Sequence, residues 1–230
     1  MSLNKFLEKA YAENEKECKK EILKLIEYSP RAVILDCGCW TGEFTLKLSE
    51  KLGTKKINGI EIDKNAAKKA RERGIKVFCM NLNKKFPLKS NSVDIVVASQ
   101  LIEHLHNTDF FIKEIYRVLK RGGHVIISTN NLAAWHNVFS LLFGRQPFTN
   151  DVSNNYTLVG TFLNYSGGSE FWSHLRIFTF KALEQMLSLY GFKIEKSKGV
   201  GYYPFVGKIA KFLARINKTH SVYMIIKARK

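Results

Sequence analysis

Short apolar runs alternate with stretches of helical periodicity over the first 130 residues of the chain. Each run is six or seven residues long, a length typical of strands, and they lie at 32–37, 56–62, 75–80, 93–99 and 124–129. Helical stretches separate them at 43–51, 64–73 and 109–119. Strands that are apolar on both faces and joined through helices predict a parallel sheet covered on both sides. Right-handed crossovers then favour a doubly wound α/β fold.

The remainder of the chain extends this plan. A helix is predicted at 4–29, ended by Pro30. Beyond the fifth strand, a helix at 132–143 is followed by about thirty residues rich in Gly, Asn, Ser and aromatic side chains. The α/β pattern then resumes at 181–190, 193–200, 205–216 and 221–228. We expect one domain over residues 1–230, with a mostly parallel seven-stranded sheet, an N-terminal helix 4–29 and an insertion at about 144–175.

Basic residues are concentrated at the C-terminal end. The chain has 37 Lys and Arg against 20 Asp and Glu, and residues 176–230 hold twelve of the basic residues but only two acids. Within 204–230, the segment 204–218 is an amphipathic helix with apolar residues on one side and Lys or Arg on the other. It predicts contact with an anionic membrane surface or nucleic acid, or packing on its own domain.

Cysteine usage and the N-terminal sequence indicate a cytoplasmic protein. The four cysteines are too few and too irregular for a disulfide framework, and the first ten residues carry no secretory apolar run. Cys37 and Cys39 form a CxC pair without a second pair of ligands, so no zinc site is expected. We expect no metal elsewhere, because Gln100 and Asn130 occupy positions where a magnesium site would need acids.

The segment Leu35–Phe44 lies where the first strand passes into the first helix of the sheet. Gly38 and Gly42 permit a tight turn and close approach of a ligand. A dinucleotide enzyme would have GxGxxG here to hold a pyrophosphate. The chain instead has Asp36 before the glycines, and a carboxylate there repels a pyrophosphate but suits a cationic amino-acid group. Alternatively, Asp36 only caps the turn.

Polar side chains also follow the next three strands. Glu61 ends the second strand, about twenty residues past the glycine turn, where an acid accepts ribose hydroxyls. Asn81 and Leu82 follow the third strand, where a side-chain amide can reach an adenine edge. Ser99 ends the fourth strand, and Leu101 follows it.

Together these residues resemble class I S-adenosylmethionine-dependent methyltransferases, specifically the type 11 small-molecule group, over about residues 20–200. The resemblance implies S-adenosylmethionine as cofactor and S-adenosylhomocysteine as product. Asp36 and the Gly38–Gly42 backbone would hold the methionine end, and Glu61 the ribose. Asn81, an Asp more often in the family, would accept from the adenine amino group. The full implied set is Asp36, Gly38, Cys39, Gly42, Glu61, Ile62, Asn81, Leu82, Ser99 and Leu101.

Methyl transfer is an in-line displacement that depends mainly on alignment, and it needs a base only when the acceptor must lose a proton. His104, just past the fourth strand, is the best-placed candidate, although it could instead cap a helix or support another side chain. His136 and His174 are alternatives. Aromatic residues of the insertion are read as an acceptor pocket or as local core. The candidate acceptor residues are Tyr156, Tyr165, Trp172 and His174.

Two other functions stay open. An RNA-modifying methyltransferase would use the basic C-terminal region, although the chain lacks a recognisable RNA-binding domain. A non-catalytic S-adenosylmethionine-binding or scaffold protein would keep the fold without turnover. The acceptor is predicted to be a small or lipid-like molecule, with its identity undetermined by the sequence.

Overall fold

Seven strands and seven α-helices lie within the residues that the computed structural model describes, namely 3–153, 155–156, 158–162 and 174–230, with backbone alone for 3–9 and Tyr11. The strands are β1 Ile34–Cys37, β2 Ile57–Glu61, β3 Lys76–Cys79, β4 Val93–Ser99, β5 Leu119–Asn130, β6 Lys193–Val200 and β7 Tyr223–Arg229. The helices are α1 Leu3–Lys24, α2 Glu43–Leu52, α3 Lys64–Glu72, α4 Thr108–Val118, α5 Trp135–Leu142, α6 Phe180–Leu189 and α7 Gly207–Ile216.

The strands form one sheet in the order β3-β2-β1-β4-β5-β7-β6. Strands β1 to β5 pair in parallel, and β7 lies antiparallel to both β5 and β6. The predicted doubly wound, mostly parallel seven-stranded sheet is confirmed. The order changes direction between β1 and β4, and this switch point opens a crevice at the carboxyl ends of the strands.

Helices cover both faces of this sheet. On one face, Ile22 of α1, Leu48 of α2 and Ala67 of α3 share a buried apolar cluster with Ile34. On the other, residues of α4 and α6 pack with Leu35 and its neighbours. Adjacent residues of β1 therefore point into different layers, which is why the strand reads as continuously apolar.

Some element boundaries differ from the prediction. Helix α1 ends at Lys24 rather than at residue 29, because the amides of Leu25 and Ile26 bond to carbonyls three residues back and tighten the last turn. Both side chains then enter the core. Strand β5 starts at Leu119 rather than at 124, and the register against β4 shifts between Val93 and Ile95. Gly122 and Gly123 therefore lie inside a longer strand.

Between α5 and α6 the described residues form turns, bends and irregular chain. Tyr165 and Trp172, predicted to contact the acceptor, lie outside the described residues, as does Phe171 of the same aromatic group. Across the described ranges, none of the helices combines the length and apolar character required to traverse a bilayer.

Candidate functional site

The loop after β1 turns through three residues with positive φ: Gly38 at 72°, Trp40 at 48° and Gly42 at 84°. A Cβ on Gly42 would lie 2.4 Å from the Ile75 Cδ1 and 3.3 Å from the Ala70 backbone, so the glycine allows α2 to start against α3. A Cβ on Gly38 would come within 3.0 Å of Leu101. Both glycines have backbone conformations that favour glycine, and at Gly42 close packing adds a second constraint.

The amide groups of this loop are used internally. Gly38 and Cys39 donate to the Ile60 carbonyl at 2.8 and 3.2 Å, and Gly42 donates to the Cys39 carbonyl at 2.8 Å. Trp40 donates to the Glu61 carboxylate at 2.9 Å. A phosphate-binding loop aims such amides at its ligand. This loop is therefore built to approach a ligand without holding a phosphate.

Asp36 lies below the loop and is 3% exposed. Its carboxylate accepts a hydrogen bond from the Thr45 hydroxyl at 2.7 Å. Burial, with a smaller contribution from the negative charge of Glu61, raises the pKa of Asp36 to about 7. A cationic ligand group beside Asp36 would favour its ionised form. Capping of the turn is not its structural role, because its hydrogen-bond partner is a side chain of α2.

Glu61 is also buried, and its carboxylate accepts three backbone hydrogen bonds. The donors are the amides of Trp40 at 2.9 Å, Ile62 at 2.7 Å and Asp63 at 2.9 Å. A carboxylate has roughly four lone-pair positions, so about one is left for a ligand. Glu61 was expected to accept both ribose hydroxyls, but with three positions already used it can accept about one.

Asn81 forms a different contact from the one expected. Its side-chain oxygen accepts hydrogen bonds from the amide and side-chain nitrogen of Asn83, both at 2.8 Å. Because a carbonyl oxygen has two lone pairs, the predicted acceptor for an adenine amino group is already used. The Asn81 side-chain nitrogen is the group that can serve a ligand. Leu82 beside it is buried in the core.

The end of β4 contributes polar groups and a strained residue. The hydroxyls of Ser99 and Ser128 lie 3.2 Å apart, and the Gln100 side-chain nitrogen donates to Ser128 at 3.2 Å. Gln100 has φ 51°, and its buried Oε1 has no hydrogen-bond partner among the described residues. A non-glycine residue in this conformation with an unpaired polar atom marks a site of functional constraint.

Apolar side chains stand exposed at the rim of the loop. Trp40 is 53% exposed and Ile62 is 62% exposed. A flat aromatic ligand group beside β2 would cover such surface. Cys39 does not share this position, because its sulfur lies against Gly59 and burial raises the pKa of its thiol to about 12. Only the backbone of Cys39 can serve the site.

His104 and His174 come together beside the ends of β4 and β5, with ring centroids 4.9 Å apart. The Nδ1 of His174 lies 2.9 Å from the Thr149 carbonyl, to which it donates, and Asn130 lies 3.4 Å from its Nε2. Burial lowers the pKa of His174. The structure thus brings together two of the predicted residues that are seventy positions apart.

Glu103 joins this pair and was not singled out by the sequence analysis. It is fully buried, and ligand atoms of Glu103, His104 and His174 all lie within 4.8 Å of one another. Burial raises the pKa of its carboxyl to about 7, with a smaller opposing effect from the nearby Thr129. The Glu-His pair directly after a predicted strand was the signal available in the sequence.

Two other predicted residues lie apart from this cluster. His136 packs against Phe148 and Tyr203, with ring centroids 6.1 and 5.2 Å away, and burial lowers its pKa to about 4. Tyr156 is 52% exposed. Neither residue belongs to the group formed by Glu103, His104 and His174.

Comparison with known proteins finds a family whose sequence matches the part of the chain that forms this site. The sequence profile of the type 11 methyltransferase domain matches residues 35–127, which include the glycine loop, Glu61, Asn81 and the Glu-His pair. Residues 35–127 thus resemble a type 11 methyltransferase domain. The match covers the strands β1 to β4 and most of β5, the part of the sheet from which the site is built.

Individual proteins of similar sequence match this chain over part of their length. An uncharacterized protein of Methanocaldococcus jannaschii is 35% identical over 120 residues, covering 52% of this chain and 55% of that protein. A demethylmenaquinone methyltransferase of Listeria monocytogenes is 26% identical over 135 residues, covering 54% and 57%. The matched region thus spans about half the length of these relatives.

Solved structures share the whole architecture. A structure described as an S-adenosylmethionine-dependent methyltransferase from Listeria monocytogenes superposes with a TM-score of 0.65 and 18% identity. The alignment covers 95% of this chain and 99% of that one. At this identity the likeness establishes the fold alone, and it includes the strands β6 and β7 that follow residue 127.

Proposed function

We propose that the protein transfers a methyl group from S-adenosylmethionine to a small-molecule acceptor. The observation that carries this proposal is the pair of buried carboxylates, Asp36 and Glu61, on either side of a glycine loop whose amides are used internally. This arrangement disfavours a phosphate and suits a ligand with a cationic end and a hydroxyl. The match of residues 35–127 to a methyltransferase domain supports the same reaction.

The chain's own residues divide the work of holding the donor. Asp36 pairs with the cationic methionine end, where Gly38 and Gly42 let the backbone come close. Glu61 accepts a ribose hydroxyl at its remaining lone pair, and the Asn81 amide faces the adenine. Ile62 and Leu82 flank the adenine, while Ser99 and Leu101 line the floor at the end of β4. Cys39 contributes backbone only.

When bound, the cofactor supplies a methyl carbon: an acceptor lone pair forms the new bond as the carbon–sulfur bond breaks, and sulfur keeps the electron pair in S-adenosylhomocysteine. The protein has to align the acceptor and exclude water. If the acceptor is a hydroxyl or a protonated amine, its proton must also leave. His104, half-buried beside the carboxyl end of β4, is the residue we assign to that step.

The acceptor side is formed by His104, His174 and Asn130, with Tyr156 and the undescribed Tyr165 and Trp172 as further candidates. Support for a small acceptor comes from the relative named for demethylmenaquinone. We place the protein in the cytoplasm. The four described cysteines are all free thiols, as in a reducing compartment.

We further propose that the protein works at an anionic membrane surface. Eight large apolar side chains on and beside α5 and α7 are between 45% and 71% exposed. We call them the apolar surface, and they are Phe139, Leu141, Leu142, Phe143, Phe205, Ile209, Phe212 and Ile216. The two helices adjoin, because Trp135 packs on the Tyr202–Ala210–Ala214 cluster and donates to the Tyr202 hydroxyl at 2.7 Å.

Helix α7 packs on the domain through small residues and leaves its large ones outside. Ala210 and Ala214 are buried, whereas Phe212 and Ile216 are more than 60% exposed. Basic side chains border the exposed face at Lys208, Arg215 and Lys218, while Lys211 pairs with Glu17 at 3.0 Å. Apolar side chains bordered by cations suit the interface of an anionic bilayer better than a nucleic-acid backbone.

A labelling experiment tests the reaction and the acceptor class together. Purified protein is incubated with S-adenosylmethionine carrying a labelled methyl group and with separate lipid, small-molecule, RNA and protein fractions of a cell extract. The proposal expects label in the lipid or small-molecule fraction. Label in RNA alone would support the RNA-modifying alternative, and binding of the donor without label in any fraction would support the non-catalytic one.

A further inference from the structure

Glu103 is a carboxylic acid that is fully buried. It is 0% exposed, and within the described ranges no donor lies in good hydrogen-bond geometry to either carboxyl oxygen. The neighbouring Thr129 hydroxyl is also buried, and its weak interaction with the carboxyl only partly offsets the effect of burial on the Glu103 pKa. Burying a carboxylate in this way is unfavourable unless a cation or a proton compensates its charge. The buried Glu103 carboxyl is therefore expected either to be protonated or to lie beside a cation.

Two histidines lie close to the Glu103 carboxyl. The ligand atoms of Glu103, His104 and His174 lie within 4.8 Å of one another. Metal–ligand bonds of roughly 2.0–2.2 Å place ligand atoms about 3–4 Å apart around one ion, so small side-chain rotations bring these three into range. The three residues come from the end of β4 and from the segment before α6.

The hydrogen bonds of His174 orient it as a ligand. Because its Nδ1 donates to the Thr149 carbonyl at 2.9 Å, the lone pair is on Nε2. This pairing of one ring nitrogen with a carbonyl is the support that metal-binding histidines usually have. The Asn130 amide, 3.4 Å from Nε2, makes only a long contact that an ion would displace.

We propose that Glu103, His104 and His174 bind one divalent transition-metal ion. Two imidazoles and one carboxylate form the ligand set of catalytic zinc sites and of related iron, manganese and cobalt sites, whereas magnesium and calcium prefer oxygen ligands alone. Both histidines are only partly buried, so solvent or an acceptor could reach an ion held between them.

The role of such an ion rests on the proposed function. A hydroxyl coordinated to the ion loses its proton more readily, because the metal charge stabilises the oxygen anion. His104 would then assist proton loss as a metal ligand instead of as a free base. The inference also narrows the acceptor class to molecules that present an oxygen to the ion.

Metal binding is tested with tag-free protein treated with a chelator and exchanged into metal-free buffer. Zn²⁺ is titrated by calorimetry, and Co²⁺ by its visible absorption, which reports nitrogen and oxygen coordination. The expected result is one ion per chain, with at least a hundredfold weaker binding after Glu103→Gln or His174→Ala. His106→Ala, two residues past His104 but exposed and outside the cluster, should bind as the wild type does.

Thermal melting shows whether a variant that does not bind the ion is still folded. Saturating Zn²⁺ should raise the Tm of the wild type and of His106→Ala, and leave that of Glu103→Gln unchanged. The inference is overturned if the wild type binds no ion, or if Glu103→Gln binds as tightly as the wild type. Turnover that persists in chelated protein but is lost in His104→Ala would likewise overturn it and keep His104 as a free base.

S-adenosylmethionine binding to the metal-free protein separates the two proposals. If the metal-free protein binds S-adenosylmethionine but no Zn²⁺, the metal inference alone fails. If it binds Zn²⁺ but not S-adenosylmethionine, the proposed methyl transfer fails while the metal site stands.

Discussion

The two halves of the crevice differ in how complete they are. On the β1–β2 side, the backbone amides that flank the loop and the Glu61 carboxylate satisfy one another within a span of about 25 residues. On the β4–β5 side, Glu103 and Gln100 retain buried oxygens with no partner among the described residues. The β1–β2 side, whose hydrogen bonds are already formed within the chain, suits a ligand that does not vary, such as the methyl donor. In the other half, the described residues leave these buried oxygens without a hydrogen-bond partner.

The largest expected effect concerns the β4–β5 half. Replacing His104 by Ala should lower the rate of methyl transfer by about 10²–10⁴-fold if the acceptor loses a proton, because proton removal is slowed by that amount when its catalyst is lost. Binding of S-adenosylmethionine, measured by calorimetry, should stay within twofold of the wild type. His106→Ala is the control. Unchanged turnover in His104→Ala would remove this residue from the mechanism.

Gly42→Ala tests whether the β1–β2 half depends on tight packing. The added Cβ meets Ile75 and the Ala70 backbone at a φ of 84°, so we expect a loss of about 2–5 kcal/mol in the free energy of unfolding. Gly74→Ala has a similar φ of 82° with nothing within 4 Å, and should lose only about 1–2 kcal/mol. Denaturant titration of both variants measures the difference, and equal losses would contradict the packing argument.

Exposed residues of α7 should govern membrane binding. Phe212→Ser should weaken sedimentation with anionic vesicles about tenfold or more, because insertion of a Phe side chain contributes roughly 1.5–3 kcal/mol. Leu189→Ser on α6, where the side chain is 85% exposed but outside the apolar surface, is the control. The membrane proposal fails if both variants bind like the wild type, or if zwitterionic vesicles are bound as well as anionic ones.

Buried acids in both halves predict a pH dependence of stability. The pKa values of Asp36 and Glu103 are each about 7 in the folded protein, above their ordinary values near 4, so the folded state binds more protons than the unfolded one. Ligand-free protein should therefore lose stability as pH rises from about 4 to 7. Asp36→Asn should remove part of this loss, raising Tm at pH 8 by several degrees relative to the wild type.

This last prediction is measured by thermal melts of the wild type and Asp36→Asn at pH 5 and pH 8. The benefit of the substitution should be small at pH 5, where less of Asp36 is ionised. If the Tm of the wild type and the Tm of the variant change by the same amount between pH 5 and pH 8, the pKa of Asp36 is not raised.

Features that depend on neighbouring residues could be predicted from the sequence more readily than features that depend on tertiary packing. Strands β4 and β6 begin and end where predicted, because apolar periodicity and glycine boundaries are local. The role of Asp36 could be argued from its neighbours alone. The end of α1 was misplaced, because tertiary packing of Leu25 and Ile26 stops the helix before Pro30 does.

The cluster of Glu103, His104 and His174 could not be derived in this way. It joins the end of β4 to a segment seventy residues later, and no local pattern specifies that contact. The alternative use of the Asn81 carbonyl was also hidden, because it depends on a hydrogen bond to Asn83 that forms only in the folded turn. The sequence named His104 and His174 as separate candidates, but it could not show that they meet.

The central claim is that the β1–β2 half holds S-adenosylmethionine through a buried carboxylate. Calorimetric titration of S-adenosylmethionine into the wild type and Asp36→Asn tests it most directly, since Asn keeps an oxygen for Thr45 but removes the charge. We expect one site in the wild type, with proton uptake by the buffer near pH 6.5 and at least tenfold weaker binding in the variant. Equal binding by both proteins, or none by the wild type, would contradict the claim.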